Sequence, residues 1–253
     1  MLTELQVQIL NRISPGEPAW CFSPSAYAEK SKLQALLGDE FLKQVRGKTV
    51  LDFGCGPGAE AIDLAHFGAR RVIGLDIRDD LLNTARERAQ AAGVGDICCF
   101  TRQTHEPVDL VISIDAFEHF DDPAGILRIM DSLLKPEGEV MISFGPTWYH
   151  PLGGHLFSVF PWAHLLFSER ALLRWRSGFR SDGATRFREV EGGLNQMTIR
   201  RFEKIVEMSP FRFVEFEAVP IRKLRLFHNR LTREFTSAIV RCRLAKRSNP
   251  CLS

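Results

Sequence analysis

Short apolar runs alternate with amphipathic segments of helical period between residues 49 and 144, and this alternation limits the possible folds more than any other feature. The apolar runs predict strands at 49–53, 71–76, 97–100, 109–114 and 139–144. The amphipathic segments predict helices at 58–67, from Asp79 or Asp80 to Ala92, and from an Asp122 cap to Leu134. Strands joined by helices form parallel sheets with right-handed crossovers, so we expect an α/β, doubly wound fold.

The alternation stops after residue 146. Residues 147–197 are rich in aromatic side chains, histidine and glycine, which indicates an aromatic-rich lid inserted after strand 5. A helix at 198–208 and strands at 213–219 and 235–244 follow. We therefore predict four parts. They are an N-terminal helical segment at 1–48 that covers the ligand site and has a helix near 26–37, a ligand-binding half at 49–146, the lid at 147–197, and a C-terminal part at 198–253 that completes the same sheet.

Composition excludes several classes of protein. Hydrophobic residues make up 45% and charged residues 25%, which is typical of a folded globular chain and not of a disordered one. The longest apolar stretch, 156–167, contains Pro161 and His164 and is shorter than the roughly 20 residues that a membrane span needs. The first residues do not resemble an export signal, and the cysteines lack zinc-like spacing. We expect a cytoplasmic protein with no transmembrane segment and no metal site.

A basic run occupies residues 222–233, within a segment, 200–247, where 13 Lys or Arg stand against 5 Asp or Glu. Such a run could contact nucleic acid or an anionic membrane surface. Its apolar residues Leu224, Phe227 and Leu231 have helical spacing, which favours a solvated helix docked on the sheet. We therefore expect a small-molecule partner, do not expect nucleic acid, do not favour peripheral membrane contact, and leave the oligomeric state open.

The first predicted strand runs into a glycine-rich turn, Asp52-Phe53-Gly54-Cys55-Gly56-Pro57-Gly58. A turn between a strand and a helix presents backbone N–H groups to a ligand at the carboxyl edge of the sheet. Asp76 ends the second strand, 22 residues after Gly54, where it can accept both hydroxyls of a ribose. The glycine spacing also fits a dinucleotide fingerprint, but the Asp52 carboxylate would repel a pyrophosphate and favours a cation. The turn and Asp76 predict an adenosine-type ligand.

This turn resembles the first motif of class I S-adenosylmethionine-dependent methyltransferases. The segment 109–120, which contains Glu118-His119, resembles the fourth-strand motif of the branch that includes the ubiquinone and menaquinone C-methyltransferases, and 133–140 and 197–213 resemble later motifs. The resemblance implies a Rossmann-like seven-stranded sheet of order 3-2-1-4-5-7-6 with strand 7 antiparallel. It also implies S-adenosyl-L-methionine as cofactor and S-adenosyl-L-homocysteine as product. Where many relatives have an acid that binds adenine, this chain offers Gln103 or Thr101. The implied cofactor contacts are Asp52, Gly54, Cys55, Gly56, Gly58, Asp76, Ile77, Gln103, Ile114, Asp115 and His119.

The lid follows a strand of the cofactor edge, so we expect it to close over the methyl acceptor. Its aromatic side chains either bind an apolar or aromatic acceptor or form the lid's own core. A phenol or enol acceptor must lose a proton, which suits histidine, although each of these histidines has a structural alternative and His119 also suits cofactor positioning. The candidate bases are His119, His150 and His155, and the candidate substrate contacts are Trp148, Tyr149, His155 and Trp162.

Together these features predict an S-adenosylmethionine-dependent methyltransferase that acts on a small, apolar or aromatic molecule. Two alternatives remain. The chain could bind the cofactor without catalysis, or it could be an NAD-dependent oxidoreductase, which Asp52 disfavours.

Overall fold

One mixed sheet organises the molecule. The computed structural model describes residues 2–16, 31–190 and 193–247. The strands are β1 (Thr49–Phe53), β2 (Arg71–Leu75), β3 (Cys98–Thr101), β4 (Val108–Ile114), β5 (Leu134–Phe144), β6 (Phe211–Pro220) and β7 (Ser237–Lys246). They form a seven-stranded sheet in the order β3-β2-β1-β4-β5-β7-β6, in which β7 runs antiparallel to both of its neighbours and β1 to β5 are parallel. The expected sheet order and direction are confirmed.

Helices cover both faces of this sheet. They are α1 (Leu2–Ile13), α2 (Lys32–Val45), α3 (Ala59–His66), α4 (Asp79–Ala91), α5 (Pro123–Leu133), α6 (Ala163–Leu166), α7 (Glu169–Arg176), α8 (Ile199–Glu207) and α9 (Arg233–Thr236). The core on one face includes side chains of α2, α3 and α4, and the core on the other includes side chains of α5 and α8. Because both faces are covered, the central strands are buried almost throughout.

Side-chain caps mark the starts of α2, α5, α7 and α8. Asp122 caps α5 by accepting a hydrogen bond from Gly125 N at 2.9 Å, with proline at the first helical position, as the sequence predicts. The predicted cap of α4 is wrong. Arg78 holds the cap position, and the two aspartates lie in the first turn, where the helix dipole favours negative charge.

The helix predicted at 26–37 differs in its bounds. Residues 26–30 lie outside the described part of the chain. Ser31 caps α2 by accepting from Gln34 N at 3.2 Å, and the chain kinks at Gly38, with φ of 77°, before continuing to Val45. The prediction ended the helix too early because a glycine at this position is a common stop signal.

The insertion has a core of its own, and α1 belongs to it. Leu10 of α1 is fully buried with Leu172 and Trp175 of α7. Trp175 Nε1 donates to the Ser14 carbonyl at 2.8 Å. The described parts of the N-terminal segment therefore lie in two places, because α1 packs on the insertion, whereas α2 packs against the sheet.

The basic run does not fold as one continuous helix. We call residues 221–236, between β6 and β7, the basic loop. The loop begins with a 3₁₀ turn, Arg222–Phe227, and ends in α9. Phe227 is 66% exposed and Leu231 84%, so the expected docking of these side chains on the sheet is wrong. The Asn229 side chain accepts from Leu231 N and turns the chain between them, which breaks the helical spacing.

None of the helices in the described ranges has the length and apolar character needed to cross a membrane.

Candidate functional site

The glycine turn between β1 and α3 is shaped by a steric constraint at its first glycine. Gly54 has φ of 82°, in the left-handed region. A Cβ atom there would lie 2.9 Å from Ala116 Cβ, so the turn can approach the end of β4 only without a side chain. Gly54 N donates to Leu75 O at 2.7 Å, which holds the turn against the end of β2.

Asp76 follows β2 and joins it to the turn. Its side chain is buried, with Oδ2 accepting from Gly56 N at 2.9 Å and Oδ1 from Arg78 N at 3.0 Å. These two backbone donors fix the orientation of the carboxylate. A carboxylate has about four acceptor positions, so Asp76 can still accept hydroxyl groups of a ligand.

A cleft of about 440 Å³ lies beside the turn, where the sheet order reverses between β1 and β4. Ligands of open α/β sheets bind at such a switch point, beyond the carboxyl ends of the strands. The structure brings five of the sequence-predicted cofactor residues to this cleft, and others that sequence reasoning did not select. The cleft is lined by Gly54, Asp76, Ile77, Asp115 and His119, with Arg78, Ala116, Phe120, Asp121, Arg188 and Gly193.

Other predicted cofactor residues are not part of this lining. Cys55 and Ile114 are buried in the core, where burial raises the pKa of the Cys55 thiol. Gly58 forms the N-cap of α3, with Ala85 close beside it. Gln103 is exposed, and its backbone carbonyl accepts a hydrogen bond from the Thr101 hydroxyl at 3.0 Å. Cofactor contacts from these four residues remain predictions.

Carboxylates surround the base of the turn, and one lysine faces them. Asp52 is buried in β1, and burial followed by the charge of Glu60 raises its pKa well above the usual range. Lys32 Nζ lies 2.7 Å from Asp115 Oδ2 and 3.1 Å from Glu60 Oε1. Burial alone would lower the pKa of Lys32, but these two carboxylates outweigh it and raise the pKa. Nothing in the local sequence marks Lys32, because its partners are distant along the chain.

Asp52 is not the charge that would repel a pyrophosphate. The raised pKa of this carboxyl group favours its neutral form. Asp115 lines the cleft, and together with Glu60 it outnumbers the single Lys32, so this side of the cleft keeps a negative charge that would repel a pyrophosphate and attract a cationic ligand.

His119 is the predicted base that borders the cleft. Its Nδ1 lies 2.8 Å from the Gly193 carbonyl oxygen. Because a carbonyl oxygen only accepts, we assign the ring hydrogen to Nδ1, and Nε2 of the neutral ring then keeps its lone pair. The His155 ring lies against it, with centroids 5.3 Å apart.

His155 and His150 are poorly suited to take a proton. Burial, followed by the nearby His119, lowers the pKa of His155 to about 3. Burial, followed by His164, lowers the pKa of His150 to about 4, and His150 Nδ1 already accepts from Leu152 N at 2.9 Å. Both rings are therefore neutral but weakly basic near pH 7. Among the described residues, no group of three or more His, Cys, Asp or Glu side chains could hold a metal ion.

Glu118 is a buried acid next to the cleft that the site prediction left out. Its Oε1 accepts from Gly145 N at 3.2 Å, and its Oε2 is buried without a hydrogen-bond partner in the described residues. Burial, followed by the charge of Asp115, raises its pKa to about 8. The adjacent glutamate and histidine in the sequence were the available signal, but only the histidine was selected.

The predicted aromatic substrate contacts lie elsewhere in the insertion. The Trp148 ring packs against His164, with centroids 4.7 Å apart, and Trp162 Nε1 donates to the Tyr149 carbonyl at 2.9 Å. The Tyr149 ring contacts Phe235 of α9. None of these three aromatic residues is among the residues that line the cleft beside the glycine turn. The contacts given above place them within or beside the insertion. Of the four predicted substrate contacts, His155 is the one that touches a cleft residue.

Comparison with known proteins gives a family match over the cofactor half. Residues 44–146 match a family model described as a methyltransferase domain. A ubiquinone biosynthesis O-methyltransferase of Neisseria meningitidis serogroup C is 40% identical over 106 residues, which are 39% of this chain and 44% of that protein. A ribosomal protein L11 methyltransferase of Photobacterium profundum is 35% identical over 98 residues, 38% of this chain and 33% of that protein. The chain thus matches less than half the length of these relatives, and their names point to different acceptors.

A solved structure extends the likeness to the whole sheet. An S-adenosylmethionine-dependent methyltransferase from Mesorhizobium loti aligns with a TM-score of 0.54 and 20% identity, covering 82% of this chain and 94% of that one. At this identity the likeness shows the fold. Residues 44–146 therefore match a methyltransferase domain, and the seven-stranded sheet has the Rossmann-like methyltransferase fold.

Proposed function

We propose that the chain transfers a methyl group from S-adenosylmethionine to a small, apolar or aromatic molecule. The observation that carries this proposal is the convergence of Gly54, Asp76, Asp115 and His119 on one cleft at the switch point of the sheet. A carboxylate for a ribose, a negatively charged wall and a histidine whose Nδ1 is held by a carbonyl oxygen are the groups that this cofactor and a hydroxyl acceptor would need.

The cleft fits the cofactor on three grounds. Asp76 is held in place by two backbone N–H groups and retains acceptor positions for ribose hydroxyls. Ile77 is 76% exposed beside it and offers an apolar surface to the adenine. Asp115 and Glu60 share the single Lys32, which leaves net negative charge that favours the amino and sulfonium groups. When bound, the cofactor supplies an electrophilic methyl group on sulfur.

His119 is the residue that we assign to the acceptor. Its Nδ1 is fixed by the Gly193 carbonyl, and Nε2 can take the proton of an acceptor hydroxyl as the oxygen accepts the methyl group. Gly193 and Arg188 both line the cleft, so the polypeptide that follows β5 forms one wall of the acceptor side. The cleft of about 440 Å³ has the size of one small-molecule ligand such as the cofactor, so the acceptor would approach from its His119 side.

The names of similar proteins bear on the proposed class of methyl acceptor. The relative from Neisseria meningitidis is named for ubiquinone biosynthesis, which is consistent with an apolar aromatic acceptor. The relative from Photobacterium profundum is named for a ribosomal protein, so transfer to protein is the outcome to test against.

The test is incubation with methyl-labelled S-adenosylmethionine and a fractionated cell extract. We expect the unmodified protein to place label in an apolar small-molecule fraction. His119→Ala should give much less label in that fraction. His66→Ala, which changes an exposed histidine of α3, is the control and should give as much label as the unmodified protein. Label in protein fractions would overturn the acceptor class. Cofactor binding without label in any fraction would instead indicate a binding protein that does not catalyse.

A further inference from the structure

The basic loop presents large apolar side chains to solvent. Leu226 is 96% exposed, Leu231 84% and Phe227 66%. Single exposed apolar residues are common on proteins, but three within six positions of one loop form a patch that marks an interaction surface. The partner that covers this patch must offer apolar contact.

The same loop is strongly cationic. Residues 221–233 contain no Asp or Glu, and Arg222, Lys223, Arg225 and Arg230 are all exposed. Arg233, by contrast, pairs with Glu203 at 2.6 Å. None of the four exposed cations has an acidic partner within residues 2–16, 31–190 and 193–247. The partner must therefore also be anionic.

An ordered backbone holds these side chains outward. Ile221 N donates to Thr236 O at 2.8 Å and closes the base of the loop. Asn229 Oδ1 accepts from Leu231 N at 2.9 Å, and His228 Nδ1 lies 2.9 Å from Thr236 Oγ1. These hydrogen bonds fix the shape of the loop before a partner binds. The exposed apolar side chains can therefore bind without a further entropic cost of ordering the loop backbone.

The loop lies at the cofactor edge of the sheet. β7 is antiparallel to β5, with Phe144 opposite Val240, so the start of β7 and the end of β5 share one edge. Tyr149 of the insertion contacts Phe235 of the loop, with ring centroids 5.0 Å apart. A surface docked through this loop would meet the protein on the side of the insertion.

We propose that the basic loop docks the protein on an anionic lipid bilayer. Leu226, Phe227 and Leu231 enter the boundary between headgroups and acyl chains, and the four cations contact lipid phosphates. A second copy of the chain fits poorly, because a two-fold contact through the loop would place like charges together. Nucleic acid fits less well, because a phosphate backbone would leave Leu226 and Leu231 uncovered and Phe227 alone offers a stacking surface to bases.

The test is sedimentation of the purified protein with vesicles. Phosphatidylcholine vesicles are compared with vesicles that also contain phosphatidylglycerol, at low and at high salt. We expect binding to the anionic vesicles, weaker binding at high salt, and little binding to phosphatidylcholine alone. This readout needs no methyl transfer, so it can fail without the proposed function failing, and the reverse also holds.

Two variants separate the apolar and the charged contributions. The apolar variant combines Leu226→Ser, Phe227→Ser and Leu231→Ser, and its control is Met208→Ser, which changes another exposed apolar side chain. The charge variant replaces four loop cations, and its control removes the same charge from exposed sites elsewhere. The charge variant is Arg222→Gln, Lys223→Gln, Arg225→Gln and Arg230→Gln, and its control is Lys43→Gln, Arg88→Gln, Arg128→Gln and Arg212→Gln.

Each loop variant should lower vesicle partitioning at least about tenfold, a change of about 1.4 kcal/mol, while the controls stay within about twofold of the unmodified protein. The changed side chains are exposed, so the variants should fold normally. Absence of binding to anionic vesicles would overturn the proposal, as would equal losses in the controls. Self-association through the loop in the absence of vesicles, abolished by the apolar variant, would overturn it in favour of a contact between copies.

Discussion

At the scale of single residues, Asp76 links the fold to the ligand. Its carboxylate accepts from the backbone N–H of Gly56 in the turn and of Arg78 after β2, so one side chain both closes the turn and faces the cleft. The sequence predicted a ribose contact from the position of Asp76 at a strand end. It did not predict the hydrogen bond to the turn, because that bond depends on how two strands are placed side by side.

Replacing Asp76 should weaken cofactor binding. We expect Asp76→Ala to lower the affinity for S-adenosylhomocysteine at least about tenfold, or about 1.5 kcal/mol, since a ribose loses a charge-assisted hydrogen bond. Asp79→Ala is the control, because Asp79 lies three residues further on with a side chain that is 68% exposed. Isothermal titration measures both. Equal affinities for the two variants would mean that the ribose is held by another group.

Glu118 should make the stability depend on pH. Its pKa rises from 4.5 to about 8 on folding, so the native protein retains a proton that the unfolded chain releases between these values. The stabilisation is complete below pH 4.5 and is lost as pH rises through about 8. Glu118→Gln should abolish this loss, making the variant the more stable protein at high pH by at most about 5 kcal/mol.

Urea denaturation from about pH 5 to about pH 9 tests the role of Glu118. The difference in unfolding free energy between Glu118→Gln and the unmodified protein should change with pH in the direction given above. Glu137→Gln changes an exposed glutamate and should run parallel to the unmodified protein. A parallel curve for Glu118→Gln as well would show that this carboxyl group is ionised in the native state.

At the scale of helices and strands, local signals account for much of what the sequence predicted. The alternation of apolar runs and helical segments between residues 49 and 144 depends on neighbours within a few positions, and most strands and helices of this region are found close to their predicted bounds. β5 is the exception, because it begins at Leu134, which pairs with Val108 of β4, and not at 139. The pairing of α1 with α7 could not be predicted, because Trp175 and Ser14 are 161 positions apart. The helical spacing in the basic loop led to a wrong prediction of burial, because spacing along the sequence does not show whether a side chain meets another part of the fold.

Truncating Leu10 in α1 should loosen the insertion and leave the sheet intact. Leu10 is fully buried in the core that α1 shares with the insertion, so Leu10→Ala should cost about 2–4 kcal/mol there. Hydrogen exchange should show faster exchange at 155–190 and unchanged exchange at 49–114. Leu5→Ala, at a side chain of α1 that is 54% exposed, is the control. Equal loss of protection in both regions would contradict a separate core.

Closure of the insertion over an acceptor stays a prediction. Phe157 lies in the core of the insertion, so replacing residues 147–168 by a linker would damage that core as well as remove the lid. Hydrogen exchange with and without cofactor and acceptor is the better experiment, because it keeps the packing intact.

At the scale of the whole molecule, the site contains residues that the sequence predicted and residues that only the fold brings to it. The glycine turn, Asp76 and Asp115 were predictable because each lies at a strand end within a recognisable pattern. Lys32 and Arg188 come from distant parts of the chain, and only the folded sheet brings them to the same edge. The fold therefore determines which charges surround the ligand.

The central claim is that this cleft binds S-adenosylmethionine and its product, and calorimetric titration of the purified protein tests it most directly. S-adenosylhomocysteine and NAD are titrated separately, and then in competition. The account predicts saturable binding of S-adenosylhomocysteine at least about tenfold tighter than NAD, since Asp115 and Glu60 outnumber Lys32 and a pyrophosphate would meet net negative charge there. Tighter binding of NAD, or displacement of S-adenosylhomocysteine by it, would contradict the account.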